Sequence, residues 1–371
     1  MHSALGFNHN LLPGTCRDEL PKAGFKREYA DFQVDEQLGF EPDGAGAHLW
    51  LNIRKSGRNT RDILSEISKE LSVAEKDIGY SGLKDRRAVT TQWLSVPIAQ
   101  SDDPPPAPEE LPALAGVEYL RCVKSGRKLR SGAHRSNRFK IILRDIDTDK
   151  EGIERSLGSV NTRGFPNYFG AQRFGINGSN VEQAQRMFTS RRKLSRFKRG
   201  IYLSAARSWL FNQVLAKRIQ SDNWLQLLPG EACILDGSNS LFHCPIPDAE
   251  TQNRLELQDI HTSGPLYGSG ISAATDSVLA LESECLKDFD VLRKGLETNG
   301  LKAERRALRA RAHQLQWRWI DQSTLEISVT LQRGVYATSL LSEIVVPIQQ
   351  PETQPEAQPK EQPEQLTEKD A

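Results

Sequence analysis

The most informative chemical feature of the sequence is one carboxylate among cations. Asp85 lies within residues 79–92, GYSGLKDRRAVTTQ, and its close neighbours are Lys84, Arg86 and Arg87. Nearby positive charge favours the ionised form of a carboxyl group, so Asp85 is predicted to be a carboxylate at neutral pH. Beside a polyanionic substrate such a group could act as a nucleophile or a base. On charge alone, a surface ion-pair loop is the more common explanation of such a segment, because structural networks also surround acids with bases.

Other kinds of site find little support in the sequence. The seven histidines, which include His134, His243 and His261, lack the spacing of metal ligands. The five cysteines are odd in number and form no CxxC pair, so we expect no zinc site, no disulfide framework and a reducing cytoplasmic location. No phosphate-cradling GxxxxGKS/T loop is present. A hydrolase or transferase acting on a nucleotide, with Asp85 as its base, remains an alternative.

Lysine and arginine are unevenly distributed along a chain whose net charge is only +1. Residues 350–371 contain six acids and two lysines, a net charge of −4, so the remainder carries +5 (+1 minus −4). Residues 121–144 hold nine Lys/Arg and no acid, residues 186–199 hold seven and no acid, and residues 302–318 hold six with one acid. One such cluster is typical of solvated surface. Three together indicate a nucleic-acid partner.

The elements that must position Asp85 follow from the spacing of apolar residues. The predicted strands around it are residues 48–54, 78–82, 89–96 and 138–144. A helix that begins near Asn59 or Thr60, either of which can serve as its cap, is predicted between the first two strands. Asp85 therefore belongs to a polar loop between two strands.

From about residue 164 to residue 300 the pattern becomes helical. The predicted helices are residues 180–188, 204–219 and 276–297, and the glycine-rich residues 229–270 are predicted to be irregular. Strand-like alternation returns at residues 325–331, and a short helix follows at residues 337–344. A β-rich body that is interrupted and then resumed indicates a domain inserted into a host domain.

The remaining segments contain no sign of a membrane protein. No apolar run approaches the roughly twenty residues that a membrane helix requires, and residues 1–10 show no signal-peptide pattern. Residues 101–112 form a proline-rich stretch that predicts a surface loop. The Gln-Pro-Glu-like units of residues 350–371 offer few apolar side chains and predict disorder.

Several short motifs occur together in a fixed order. They are DFQVDE at 31–36, NT at 59–60, GLKDRRAVTTQ at 82–92, NRF at 137–139, PNYFGAQRFG at 166–175 and RGVYATS at 333–339, with Lys26 before the first. In this order they resemble the motifs of the TruD family of tRNA pseudouridine synthases, whose catalytic aspartate falls on Asp85. The resemblance covers about residues 20–347. The ten-residue signature combined with the GxKDR loop is very specific.

The resemblance implies an α+β fold. A pseudouridine synthase catalytic domain, with a mixed or antiparallel sheet and flanking helices, is interrupted by a largely helical inserted TRUD domain. The expected division is residues 1–163 for the first part of the catalytic domain, 164–303 for the insertion, 304–348 for the C-terminal part and 349–371 for a disordered tail.

The resemblance also implies an activity, the isomerisation of uridine to pseudouridine at position 13 of tRNA. Asp85 would be the catalytic carboxylate, with no metal and no small-molecule cofactor. The expected partner is tRNA, and a monomer is expected. The alternative is a non-catalytic protein that binds structured RNA through the same basic surfaces, for which Asp85 would be dispensable.

The target base must leave its stack to reach a carboxylate, so a pocket with aromatic walls is expected. The substrate-binding residues that the resemblance implies are Lys26, Phe32, Lys84, Asn137, Phe139, Asn167, Gln172, Arg173 and Tyr336. The two lysines would pair with Asp85 or a phosphate, and Asn137 would bind uracil or hold Asp85. The three residues of the 166–175 signature would touch RNA or brace the domain junction. Tyr336 departs from the phenylalanine that is familiar at its position.

Overall fold

The fold is described by a computed structural model, which covers residues 12–15, 19–147, 150–190, 193–238 and 240–349. The predicted disordered tail, apart from Gln349, lies outside these residues. None of the helices within them is long and apolar enough to cross a membrane.

The described chain contains both strands and helices, in an irregular order. The strands are β1 (Lys22–Phe25), β2 (Phe32–Gln37), β3 (His48–Ser56), β4 (Gly79–Tyr80), β5 (Val89–Pro97), β6 (Val117–Ser125), β7 (Ser136–Arg144), β8 (Phe165–Pro166), β9 (Glu231–Leu235), β10 (Leu241–Cys244), β11 (Ile260–His261), β12 (Ser263–Leu266), β13 (Glu304–Ala307), β14 (Arg309–Ala310), β15 (His313–Trp319), β16 (Leu325–Gln332) and β17 (Val346–Ile348). The helices are α1 (Thr60–Glu70), α2 (Lys150–Arg163), α3 (Ser179–Thr189), α4 (Arg196–Gln220), α5 (Ala249–Glu256), α6 (Asp276–Leu286), α7 (Asp290–Thr298) and α8 (Ala337–Leu341).

One large mixed sheet forms the body of the protein. Its strand order is β15-β16-β7-β2-β5-β3-β6, with β1 beside β7 and β17, and with β4 beside β5. The β2–β5 and β1–β17 pairs are parallel, whereas the other pairs are antiparallel. Helices α1 and α2 pack on this sheet. The predicted α+β fold with a mixed sheet is therefore confirmed.

Alternation of apolar and polar residues determines which face of each strand is buried. In β7, Phe139, Ile141 and Leu143 are buried while the residues between them are more exposed. Four apolar residues of β16 alternate in the same way. Both sets enter a single core, because a strand places successive side chains on opposite faces. Helix α2, which no predicted helix covered, adds Ile153 and Leu157 to this core.

The residues between the two parts of the sheet fold around their own core. Helices α3, α4, α6 and α7 contribute to it, with Leu210 and Leu292 completely buried. The predicted single helix over 276–297 is wrong, because a 3-10 turn at Lys287–Phe289 separates α6 from α7. This break allows Leu286 and Leu296, on different helices, to reach the same core.

The glycine-rich residues 229–270 are also more regular than predicted. They contain the three-stranded sheet β10-β9-β11, helix α5 and strand β12. These short elements carry too few residues for a periodic signal, and their side chains become buried only through pairing with each other.

The chain passes between the two units twice. Strand β14 pairs with β8 as the chain returns to the large sheet. The predicted boundary at residue 303 lies one residue before β13, which pairs with β12. Strand pairing with the inserted unit therefore extends to Ala307. The division into 1–163, 164–303 and 304–348 remains a prediction.

Close packing between α3 and α7 makes Gly295 sensitive to substitution. A Cβ at this position would lie 2.2 Å from Cγ of Phe188. We expect Gly295→Ala to lower the free energy of unfolding by about 1–3 kcal/mol through overpacking. Gly158→Ala in α2 is the matched control, because nothing lies within 4 Å of its Cβ. This control should stabilise by about 0.5–1 kcal/mol, and denaturant unfolding would measure both. Equal effects of the two substitutions would contradict the packing argument.

Candidate active site

The loop that carries Asp85 connects β4 to the central strand β5. It is fixed to helix α1 by a hydrogen bond from the Lys84 backbone N–H to Thr60 Oγ1, at 3.1 Å. Thr60 in turn donates to Gln92 Oε1 on β5, at 2.9 Å. The beginning of α1 therefore holds the loop backbone, and Gln92 of β5 fixes the Thr60 hydroxyl that does so.

Lys26 forms the closest contact with the Asp85 side chain. Its Nζ lies 2.6 Å from Asp85 Oδ2. The Lys26 side chain is only 10% exposed, whereas that of Asp85 is 44% exposed. The same ammonium lies 4.0 Å from the centroid of the Phe32 ring, a cation–π distance. The Lys26 ammonium is therefore mostly buried against the Phe32 ring, whereas the Asp85 carboxylate remains partly exposed.

Lys84 forms its ion pair with a carboxylate other than that of Asp85. Its Nζ forms an ion pair with the completely buried carboxylate of Glu36. Burial raises the pKa of Glu36, and the adjacent Lys84 opposes that rise. Nδ1 of His134 lies 4.0 Å from Glu36 Oε2. Burial, with help from Lys84 and Arg333, lowers the pKa of His134 to about 4, so this histidine is neutral at pH 7.

Lys55 was not among the predicted site residues, although it supports the same loop. It is 1% exposed, and its Nζ donates to the backbone carbonyls of Asp85 and Arg58, both at 2.7 Å. Burial lowers the pKa of Lys55 to about 8, which the charge of Asp85 partly offsets. The sequence contained a signal for it. Lys55 continues the inward alternation of Leu51 and Ile53 in β3, where a lysine is unusual.

The Asp85 loop lines a cavity of about 500 Å³, a volume within the usual range for ligand sites. The rings of Phe32 and Phe139 form one side, with their centroids 5.7 Å apart. Tyr336 also lines the cavity. Asn137 Oδ1 is buried there and finds no hydrogen-bond partner within the described part of the chain. A buried acceptor without a partner is costly to the fold.

Arg173 of the inserted unit positions Tyr336, which forms part of the cavity wall. Arg173 donates to the Tyr336 hydroxyl from Nη2 at 2.8 Å and from Nε at 3.2 Å. Its Nη1 donates to Ser204 Oγ on α4, at 3.0 Å. Gly170 allows the tyrosine to come close, because a Cβ there would lie 2.9 Å from Tyr336 Cδ1. Arg173 thus connects α4 to the cavity wall.

Asn167 lies away from the cavity, at the junction of the two units. Its Nδ2 donates to the Ala307 carbonyl at 2.8 Å, and its Oδ1 accepts from Arg306 Nη2 at 2.5 Å. Arg306, which was not predicted, also packs over the Phe169 ring at 4.2 Å and donates to the Gly334 carbonyl at 2.8 Å. Both residues therefore brace the junction.

The structure thus brings most of the predicted site together. Eight of the ten residues line the cavity: Lys26, Phe32, Lys84, Asp85, Asn137, Phe139, Gln172 and Tyr336. Arg173 lies one contact behind it, and Asn167 lies at the junction. The assignment of these residues to substrate binding remains a prediction.

The basic clusters contain many structural residues. In the cluster of residues 302–318, Arg305 forms a buried ion pair with Glu282 and Arg309 donates to buried backbone carbonyls. In residues 121–144, Lys124 is buried and donates to backbone carbonyls. Within the described ranges, no group of three or more His, Cys, Asp or Glu residues is placed to hold a metal.

Comparison with known proteins gives a consistent result. The family model for tRNA pseudouridine synthase D (TruD) matches residues 21–183 and 179–344. A tRNA pseudouridine synthase D from Methylococcus capsulatus is 43% identical over 316 residues, which cover 85% of this chain and 88% of the relative. One from Xanthomonas euvesicatoria is 42% identical over 354 residues, 90% of this chain and 94% of the relative.

The fold has a solved counterpart. A crystal structure assigned to tRNA pseudouridine synthase D from Methanosarcina mazei superposes with a TM-score of 0.70 at 18% identity, covering 90% of this chain and 95% of that one. At this identity the likeness concerns the fold alone. The family match spans nearly all of the described chain. The chain therefore belongs to the TruD family of tRNA pseudouridine synthases, isomerases that convert uridine to pseudouridine.

Proposed function

We propose that this protein isomerises uridine 13 of tRNA, with Asp85 as the catalytic carboxylate. The observation that carries the proposal is the position of Asp85, a half-exposed carboxylate paired with Lys26 at the base of an aromatic-walled cavity. We further propose that it acts as a monomer in the cytoplasm. The four described cysteines are free thiols, which suits a reducing compartment.

The reaction breaks the bond between N1 of uracil and C1′ of ribose, turns the base, and joins C5 to C1′. The proton that C5 loses is balanced by one gained at N1, so the mass of the RNA is unchanged. Asp85 would attack the sugar or the base, or remove a sugar proton, and each route requires the ionised carboxylate. Lys26 Nζ engages Oδ2, which makes Oδ1 the candidate reacting oxygen.

The other walls suit a base that must detach and turn while it remains bound. Phe32, Phe139 and Tyr336 offer ring faces to a planar base. Asn137 Oδ1, an acceptor without a partner in the described structure, matches an N–H of uracil. A pocket built from π faces and one amide group would retain the base in more than one orientation.

The first test is Asp85→Asn. Because the amide carries no negative charge, we expect pseudouridine formation in tRNA to fall below detection, at least about 10³-fold, while tRNA binding remains. Carbodiimide adduct mapping by reverse transcription would report a stop at uridine 13 with the wild-type protein only.

Asp145→Asn is the matched control for this test. Asp145 is an exposed carboxylate paired with Arg27 at 2.8 Å, so its loss should leave the rate unchanged. A wild-type stop that Asp85→Asn retains would remove Asp85 from catalysis. Tight tRNA binding with no stop from the wild-type protein would favour the RNA-binding alternative.

Two substitutions of Tyr336 distinguish the contribution of its ring from that of its hydroxyl group. Tyr336→Phe keeps the ring but removes the acceptor used by Arg173, which still donates to Ser204. We expect it to change kcat/KM by no more than about 30-fold, since the hydroxyl accepts two hydrogen bonds from Arg173 and each contributes roughly 1 kcal/mol. Tyr336→Ala should cost about 10²-fold or more, because base stacking is lost. Steady-state kinetics on transcribed tRNA would measure both, and equal losses would contradict a stacking role.

The lowered pKa of the buried His134 predicts how the stability of the protein depends on pH. The unfolded chain binds a proton at His134 near pH 6.5 and the folded protein only near pH 4. The unfolded state therefore holds more protons within this window, and the free energy of unfolding falls as the pH drops through it. The pKa difference between 6.5 and about 4 corresponds to at most about 3 kcal/mol.

His134→Asn should remove this part of the pH dependence. His243→Asn is the control, because His243 is exposed and lies on β10. Urea unfolding at several values between pH 6.5 and pH 4 would measure the slopes. A slope in His134→Asn as steep as that of the wild-type protein would contradict the assignment.

A further inference from the structure

An exposed aromatic side chain stands in the most basic part of the inserted unit. Phe197, in the first turn of α4, is 59% exposed. Around it, Lys193, Arg196, Lys198 and Arg199 are also exposed, and the first turn of α4 contains no acidic residue. Aromatic rings interleaved with cations are the arrangement that single-stranded nucleic acids favour, since bases stack and phosphates are neutralised.

Phe197 contacts the catalytic part of the protein. The guanidinium carbon of Arg61 lies 5.0 Å from the centroid of its ring. Arg61 is the second residue of α1 and follows Thr60, whose hydroxyl accepts from the Lys84 backbone N–H next to Asp85. The contact therefore joins the inserted unit to the helix that supports the catalytic loop.

Helix α4 also connects Phe197 with the wall of the cavity. Ser204, seven residues later on the same helix, accepts from Arg173, which donates to Tyr336 in the cavity wall. Seven residues span about 10 Å and nearly two turns, so Phe197 and Ser204 lie on the same helical face. One face of α4 thus carries both Phe197 and Ser204, the residue that anchors Arg173 behind the cavity wall.

We propose that Phe197 and Arg61 form a stacking site for an unpaired base next to the flipped uridine. The site rests on the proposed function, because that uridine defines where the neighbouring nucleotide lies. Every base has a π face, and both a phenyl ring and a guanidinium plane stack on it, so the site selects an unpaired base rather than a sequence. Lys198 and its basic neighbours would meet the phosphates.

The test measures tRNA affinity in the Asp85→Asn background, which separates binding from turnover. Phe197→Ala and Phe197→Leu should both weaken binding about 10-fold, within a range of roughly 5- to 100-fold, because neither keeps a π face. Phe197→Trp should bind at least as tightly as the parent. Phe197→Leu also keeps an apolar side chain on α4, so its loss of affinity would not reflect an unfolded helix.

Salt dependence and a matched substitution make the test specific. Phe197→Ala should leave the slope of log Kd against log salt unchanged, whereas Lys198→Gln should reduce it by about 0.7–0.9. Ile271→Ala removes a 96% exposed apolar side chain elsewhere in the inserted unit and should leave affinity unchanged.

Affinity that is unchanged in Phe197→Ala, or lost equally in Phe197→Trp, would overturn the stacking site. The stacking site would also be overturned if the Asp85→Asn parent did not bind tRNA. If binding depends on Phe197 as expected while the wild-type protein forms no pseudouridine, only the proposed function fails. If the wild-type protein isomerises tRNA and the Phe197 variants bind normally, only the stacking site fails.

Discussion

The burial of lysine ammonium groups around one loop is the constraint on which the site depends. Lys26 holds the Asp85 carboxylate, Lys55 holds the loop backbone, and Lys84 anchors the loop to the buried Glu36. A buried cation is tolerated only where it meets an anion or carbonyl groups. A loop conformation that moved any of these acceptors away would leave a buried charge uncompensated. The buried lysines therefore fix the position of the Asp85 carboxylate, which itself remains partly exposed in the cavity.

Arginine side chains play the corresponding part between the two units. Arg173 reaches Tyr336, Arg306 packs over Phe169, and Arg61 lies over Phe197. A guanidinium is planar and carries five donors, so it can stack on a ring and hydrogen-bond at the same time. The Arg173 contact joins the inserted unit to the wall of the cavity. The Arg61 contact joins it to helix α1, which supports the Asp85 loop.

Local periodicity predicted five strands of the large sheet, β3, β4, β5, β7 and β16, and the helix that follows β3, because each has a buried face. It did not predict the other five strands of that sheet, β1, β2, β6, β15 and β17. It failed for the region of residues 229–270, whose short strands depend on their partners, and for residues 276–297, where packing breaks one helical pattern into α6 and α7. Charge counts also misled. Arg305 and Arg309 belong to a basic cluster in the sequence, yet they are buried and paired in the fold.

The sequence by itself determined the identity of the site. The Asp85 loop and its companion motifs, read in order, designated eight residues that line one cavity. Only the tertiary structure decided how they act on each other. In the fold, Lys26 pairs with the Asp85 carboxylate, 59 residues later in the sequence, and Lys84 pairs with Glu36. Lys55 donates to the backbone of the Asp85 loop, and Asn167 lies at the junction of the two units. Side-chain periodicity is a short-range property, whereas these pairings depend on the register of strands that are distant in sequence.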